Sequence, residues 1–190
     1  MKKYFVLLLL IFYNYTAVAE ETGRLNISAF STEQLNGWKS KEFKGKTDYQ
    51  IIKLDGKTVL KAESDTSASG VFKEQRIDLY KTPYLNWSWR IDTRLGKLNE
   101  QEKSGDDYAA RVYVVIDGGW IFWNTKAINY VWASNTAKGE IWPNAFAGNH
   151  AMMIALRSAD DQLYTWQTEK RNILQDLQRL SQKILSTQKR

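Results

Sequence analysis

Cysteine is missing altogether from these 190 residues, histidine occurs once and proline twice. No disulfide can form and no thiolate can act as nucleophile or metal ligand, so stability must come from packing and hydrogen bonds. With His150 as the single imidazole, a histidine-based metal site is excluded and a Ser-His-Asp triad would rest on that one side chain. No G-x-S-x-G elbow surrounds a serine, and His150, beside a Gly-Asn pair, reads as a solvated loop residue. A clustered basic face is also missing. The formal net charge is +6, but lysines and arginines are interleaved with acids except in the basic last turn, so nucleic acid is not an expected partner. Past residue 19 no apolar run approaches membrane-spanning length.

The sustained apolar run stands at the start, in MKKYFVLLLLIFYNYTAVAE. Lys2 and Lys3 precede it and Ala17-Val18-Ala19 closes it as a small-x-small site. This is the pattern of a secretory signal peptide over residues 1–19, cleaved after Ala19. The expectation is a periplasmic or secreted protein comprising residues 20–190, without a membrane span in its mature part. That length suits one domain with a sizeable core.

What the chain has in abundance is aromatic side chains, with eight Trp and ten Tyr. YQIIKL and KTVLKAES alternate apolar and polar residues around Asp55-Gly56, the signature of a two-residue hairpin turn. TPYLNWSWRID alternates strictly, with Leu85, Trp87, Trp89 and Ile91 on one face. Residues 108–116, WIFWN after an Asp-Gly-Gly turn, 127–134, 151–158 and 164–169 add further strands, with a loop holding Trp142-Pro143-Asn144 among them. From Asn172 the period changes, and Ile173, Leu174, Leu177, Leu180, Ile184 and Leu185 follow helical spacing. The predicted architecture is all-β: an antiparallel jelly-roll β-sandwich over residues 20–171, then an amphipathic helix and basic tail over 172–190.

Six ordered motifs give these strands a family likeness: KLDGKTVLKAESDTSASG, TPYLNWSWRID, KSGDDYAARVYVVIDGG, FWNTKAINYVWAS, WPNAFAGN and EKRN. Over about residues 37–172 the chain resembles an exported bacterial family known as domain of unknown function 3047. The resemblance implies a sandwich similar to galactose-binding and carbohydrate-binding modules, and implies no activity. It also implies further strand sequence after the helix, where this chain reads QRLSQKILSTQKR, so a shortened C-terminal part is expected.

The candidate site centres on GDDYAARVYVV. Asp107 and Arg111 lie four residues apart, hence on one strand face, where they are expected to form a charge-assisted pair. A groove built from Trp123, Asn129, Trp132 and Asn144 would offer rings for stacking and amides for hydrogen bonds, with Glu169 and Arg171 joining the polar network. The plainer alternative makes the same aromatics core and the same pair structural. Asp106 points the other way and, with Glu102, belongs to a loop whose hard oxygens suit a structural Ca²⁺, set against a merely solvated acidic loop. No other cofactor is expected. Three functions remain open at this point. One is non-catalytic binding of a carbohydrate or cell-envelope glycan. The second is an envelope glycan hydrolase using Asp106 or Asp107 with Glu169. The third is a protein-interaction module without a small ligand. The sequence does not set an oligomeric state.

Overall fold

The computed structural model describes residues 23–28, 30, 35–117 and 125–187, the last three by backbone alone. The expected signal peptide lies outside them. Among the described residues, no helix is long and apolar enough to cross a membrane. The chain divides into two compact units, Met1–Ile77 and Asp78–Arg190.

In the first unit four strands pair two by two. β2 (Asp48–Leu54) and β3 (Lys57–Glu63) form the hairpin foreseen from the sequence, in register from Asp48↔Glu63 to Leu54↔Lys57. Both turn residues take positive φ, Asp55 at 50° and Gly56 at 73°, the combination of a type I′ turn, whose twist matches that of the strands. β1 (Lys39–Lys44) and β4 (Ala68–Phe72) pair antiparallel with an irregularity between Glu42 and Lys44. The sequence hid β1 because all six residues of KSKEFK are exposed, leaving no buried face to impose alternation.

The second unit is built on a four-stranded sheet. Its strands are β6 (Ala110–Ile116), β7 (Lys126–Trp132), β8 (Ile141–Asn144) and β9 (Gly148–Arg157), in the order β6-β7-β9-β8. β8 hairpins onto β9, and β9 lies beside β7 in parallel, whereas the other pairings among the described residues are antiparallel. The parallel step follows from two successive reversals of direction, β7 to β8 and β8 to β9. The residues expected to form a loop at Trp142-Pro143-Asn144 are thus strand. Proline is tolerated there because β8 is an edge strand and needs no second ladder.

One face of this sheet, carrying Ile128, Tyr130, Trp132, Ile141, Met152, Ile154 and Leu156, forms the main core. Against it packs a second layer, β5 (Tyr84–Trp89) paired with β10 (Gln167–Asn172), and with it α1 (Ile173–Thr187) through Ile173 and Leu180. Trp87 meets Tyr130 at 5.3 Å between ring centroids, and Trp89 meets Trp132 at 5.7 Å. Rings of this size bury roughly 150–250 Å² each, so this interlayer stack contributes substantially to hydrophobic stabilisation. The result is a β-sandwich with one C-terminal helix. The helix belongs to the core: its Asp176 accepts a hydrogen bond from Tyr130 Oη at 2.6 Å and also pairs with Arg171.

Candidate functional site

The opposite face of the four-stranded sheet sets polar side chains beside a second buried apolar cluster, Val131, Ala133, Trp142, Met153 and Ala155. Strand alternation places Arg111 and Tyr113 on it while Val112 and Val114 turn to the core, and places Asn129 and Val131 on it while Ile128, Tyr130 and Trp132 turn away. Trp142 and Asn144 of β8 and Met153 of β9 complete the row.

Residues 99–108 approach this face in a fixed loop. Its anchor is Glu100, 1 % exposed, whose carboxylate accepts hydrogen bonds from the Ser134 amide at 2.5 Å and hydroxyl at 3.1 Å, and from the Thr136 amide at 2.8 Å. A single 3₁₀ turn, Lys103–Gly105, then folds back on Asn99 so closely that a Cβ on Gly105 would lie 2.2 Å from the Asn99 carbonyl oxygen. Only glycine fits. The turn delivers Asp106 to the sheet. Its side chain is 7 % exposed and bridges two strands, accepting from Arg111 Nη2 at 3.1 Å and from Asn144 Nδ2 at 3.0 Å. Asn144 is itself fixed, because its Oδ1 accepts from the Phe146 and Ala147 amides, both at 3.0 Å, which leaves its Nδ2 to donate. The Arg111 guanidinium sits between two rings, 4.7 Å from the Tyr108 centroid and 4.8 Å from that of Tyr113. Burial, reinforced by the charge of Asp106, pushes the Tyr108 phenol well above its ordinary value, and burial raises Tyr113 as well.

Three buried polar atoms on this face have no hydrogen-bond partner among the described residues: Arg111 Nε, Asn129 Oδ1 and Trp142 Nε1. Asn129 is fully buried, and its amide nitrogen makes one long contact, 3.4 Å to the Met152 carbonyl. A fourth such atom, Trp87 Nε1, lies in the core between the layers. An orphaned buried donor or acceptor costs about 1–3 kcal/mol. Three of them on one sheet face form a deficit that packing alone gives no reason to keep.

Of the candidate residues, Arg111, Asn129 and Asn144 lie on one face of the four-stranded sheet. Asp107 is not the partner of Arg111; Asp106 is. The alternation rule fails there because the strand begins at Ala110, and the preceding turn sets Asp106 at ψ 59°, outside extended geometry. Asp107 is exposed and caps the amide of Tyr108 at 2.9 Å. Trp132 is 1 % exposed in the core on the other face of the sheet, donating Nε1 to the Ser158 carbonyl at 3.1 Å. Trp123 lies outside the described residues. Glu169 and Arg171 serve other clusters. Glu169 accepts from Arg157 Nε at 2.6 Å and Trp89 Nε1 at 3.1 Å, and Arg171 pairs with Asp176. Burial works against the charge of Arg157, yet hydrogen bonds to Glu169 and Asp161 outweigh it and raise its pKa. For Ca²⁺, Glu102 is exposed and Asp106 is committed to Arg111 and Asn144. Among the described residues no three His, Cys, Asp or Glu side chains gather in a way that could hold a metal ion.

Sequence reasoning missed Tyr108, Tyr113 and Trp142. Tyr113 was within reach, since it stands two residues from Arg111 on a strand. Trp142 was not, because its strand was hidden by Pro143.

The family model described as "Protein of unknown function (DUF3047)" matches residues 36–187, and so takes in the C-terminal helix as well as the strands. No curated protein and no solved structure matches the chain. The chain belongs to that family.

Proposed function

As the reading for this member of the family, we propose an exported, non-catalytic binding protein whose ligand is a carbohydrate or cell-envelope glycan, held on the sheet face around Arg111. The observation that carries this reading is the unfilled set Arg111 Nε, Asn129 Oδ1 and Trp142 Nε1. It offers two N–H donors and one acceptor, the complement of sugar hydroxyls, which donate and accept at the same atom. The ligand approaches along β6, where Tyr113 is 48 % exposed and covers the guanidinium. Swinging that ring aside forfeits one cation–π contact, about 0.5–1 kcal/mol at a partly exposed site. Glycoside hydrolysis is less well supported, because Asp106 and Glu169 are each tied to a different arginine rather than facing a common space.

Calorimetric titration of the purified protein with a panel of glycans tests the proposal. One glycan class should bind, and Asn129→Leu should abolish that binding while the protein still melts cooperatively. Full binding by the Asn129→Leu protein would refute this location for the site.

A further inference from the structure

We propose that this face selects by charge, taking a neutral hydroxyl-rich sugar and rejecting an acidic one, with Asp106 as the residue that sets the preference. The inference rests on the glycan reading above. The charge of Arg111 is already balanced by Asp106 at 3.1 Å, and the pair is largely withdrawn from water, with side chains 18 % and 7 % exposed. Asp106 cannot easily turn away, since Asn144 holds its second oxygen at 3.0 Å and is itself held by two backbone amides. Different hydroxyls of one sugar chain reaching this face would donate to Asn129 Oδ1 and accept from Arg111 Nε or Trp142 Nε1, filling the orphaned atoms without adding charge. A uronate carboxylate only accepts. Where it takes the place of that hydroxyl it would leave Asn129 Oδ1 unfilled, and it would bring a second negative charge beside Asp106 in a site of low exposure, where like charges repel strongly.

Calorimetric titration of the full chain decides the matter, using length-matched probes. The neutral set is chitotetraose, cellotetraose and maltotetraose; the acidic set is tetragalacturonate and tetraguluronate. The best neutral probe should bind at least about tenfold tighter than either uronate. In Asp106→Asn the arginine loses its counter-charge, and the ratio should move toward the uronates by about tenfold or more. Neutral binding to the unaltered protein should also be flat between about 50 and 500 mM salt, a readout that stands even if Asp106→Asn fails to fold. A uronate binding as tightly as the best neutral sugar would overturn this inference and leave the glycan site standing. So would a neutral affinity that collapses with salt, or an unchanged ratio in a folded Asp106→Asn protein. Binding of none of the five probes would overturn the glycan reading and this inference together.

Discussion

Replacing Asn129 by leucine should make the protein more stable, which is the reverse of what most substitutions at a fully buried position do. The side chain is 0 % exposed, and among the described residues its Oδ1 has no partner and its Nδ2 makes one 3.4 Å contact. Removing the orphaned oxygen regains about 1–3 kcal/mol of desolvation cost, while the lost long contact gives back no more than roughly 0.5–1 kcal/mol. Leucine keeps the branched outline of asparagine, though it is bulkier, and is better suited to a strand. The net expectation is a gain of about 1–2 kcal/mol, or about 2–8 °C in Tm for a chain of this size. Differential scanning calorimetry and urea unfolding read it directly. The stabilised protein should at the same time lose glycan binding. A protein whose function needs this atom keeps it at a cost to stability. A Tm lowered by several degrees would refute the reasoning, because it would mean that Asn129 is satisfied and structural.

Gly105→Ala should cost about 3 kcal/mol or more, because the new methyl would meet the Asn99 carbonyl at 2.2 Å; an unchanged melting curve would contradict the packing of the loop. Arg111→Met leaves the Asp106 carboxylate buried without its cation and should destabilise by about 3–5 kcal/mol. The double variant Asp106→Leu/Arg111→Met should recover most of that loss in urea unfolding, whereas simple additivity would show that the two side chains do not act as a pair. Alkaline pH provides a further test. Tyr108 and Tyr130 both have folded pKa values above the ordinary 10.0, Tyr108 through burial and then Asp106, Tyr130 through burial and then Asp176. Between the unfolded and folded values the native state holds more protons, so their contribution is complete below pH 10.0 and is lost as pH rises beyond it. Stability followed by urea midpoint should therefore fall above that pH, and Tyr130→Phe should reduce the slope.

The parts of this fold that show in the sequence are those where burial on one side imposes a period. β5 alternates because Leu85, Trp87 and Trp89 face the core while Asn86 and Ser88 do not, and the hairpin at Asp55-Gly56 shows because its turn demands positive φ. Helix α1 declares itself through Ile173, Leu177 and Leu180. β1 and β8 stay hidden, one for want of a buried face and the other behind a proline. The site was half legible for a related reason. Arg111, Asn129 and Asn144 stand out as polar residues inside apolar strands, but the identity of the carboxylate depended on a 3₁₀ turn set by the contact of Gly105 with Asn99. No local pattern encodes that close approach. The faces of Trp132 and Trp142 likewise depended on which side of the sheet receives the β5–β10 layer, a tertiary choice that alternation leaves open.

The most direct test reads the unfilled atoms themselves. In a ¹⁵N-labelled protein titrated with the best-binding neutral glycan, the indole N–H of Trp142 should shift, its signal assigned through Trp142→Phe. The indoles of Trp89 and Trp132, already donating to Glu169 and to the Ser158 carbonyl, should stay in place, and so should Trp87, whose orphaned N–H lies in the core on the other side of the sheet. A saturable shift confined to Trp142 among these four would establish the Arg111 face as the binding site. An unmoved Trp142 at saturating glycan would place the ligand elsewhere and contradict the reading.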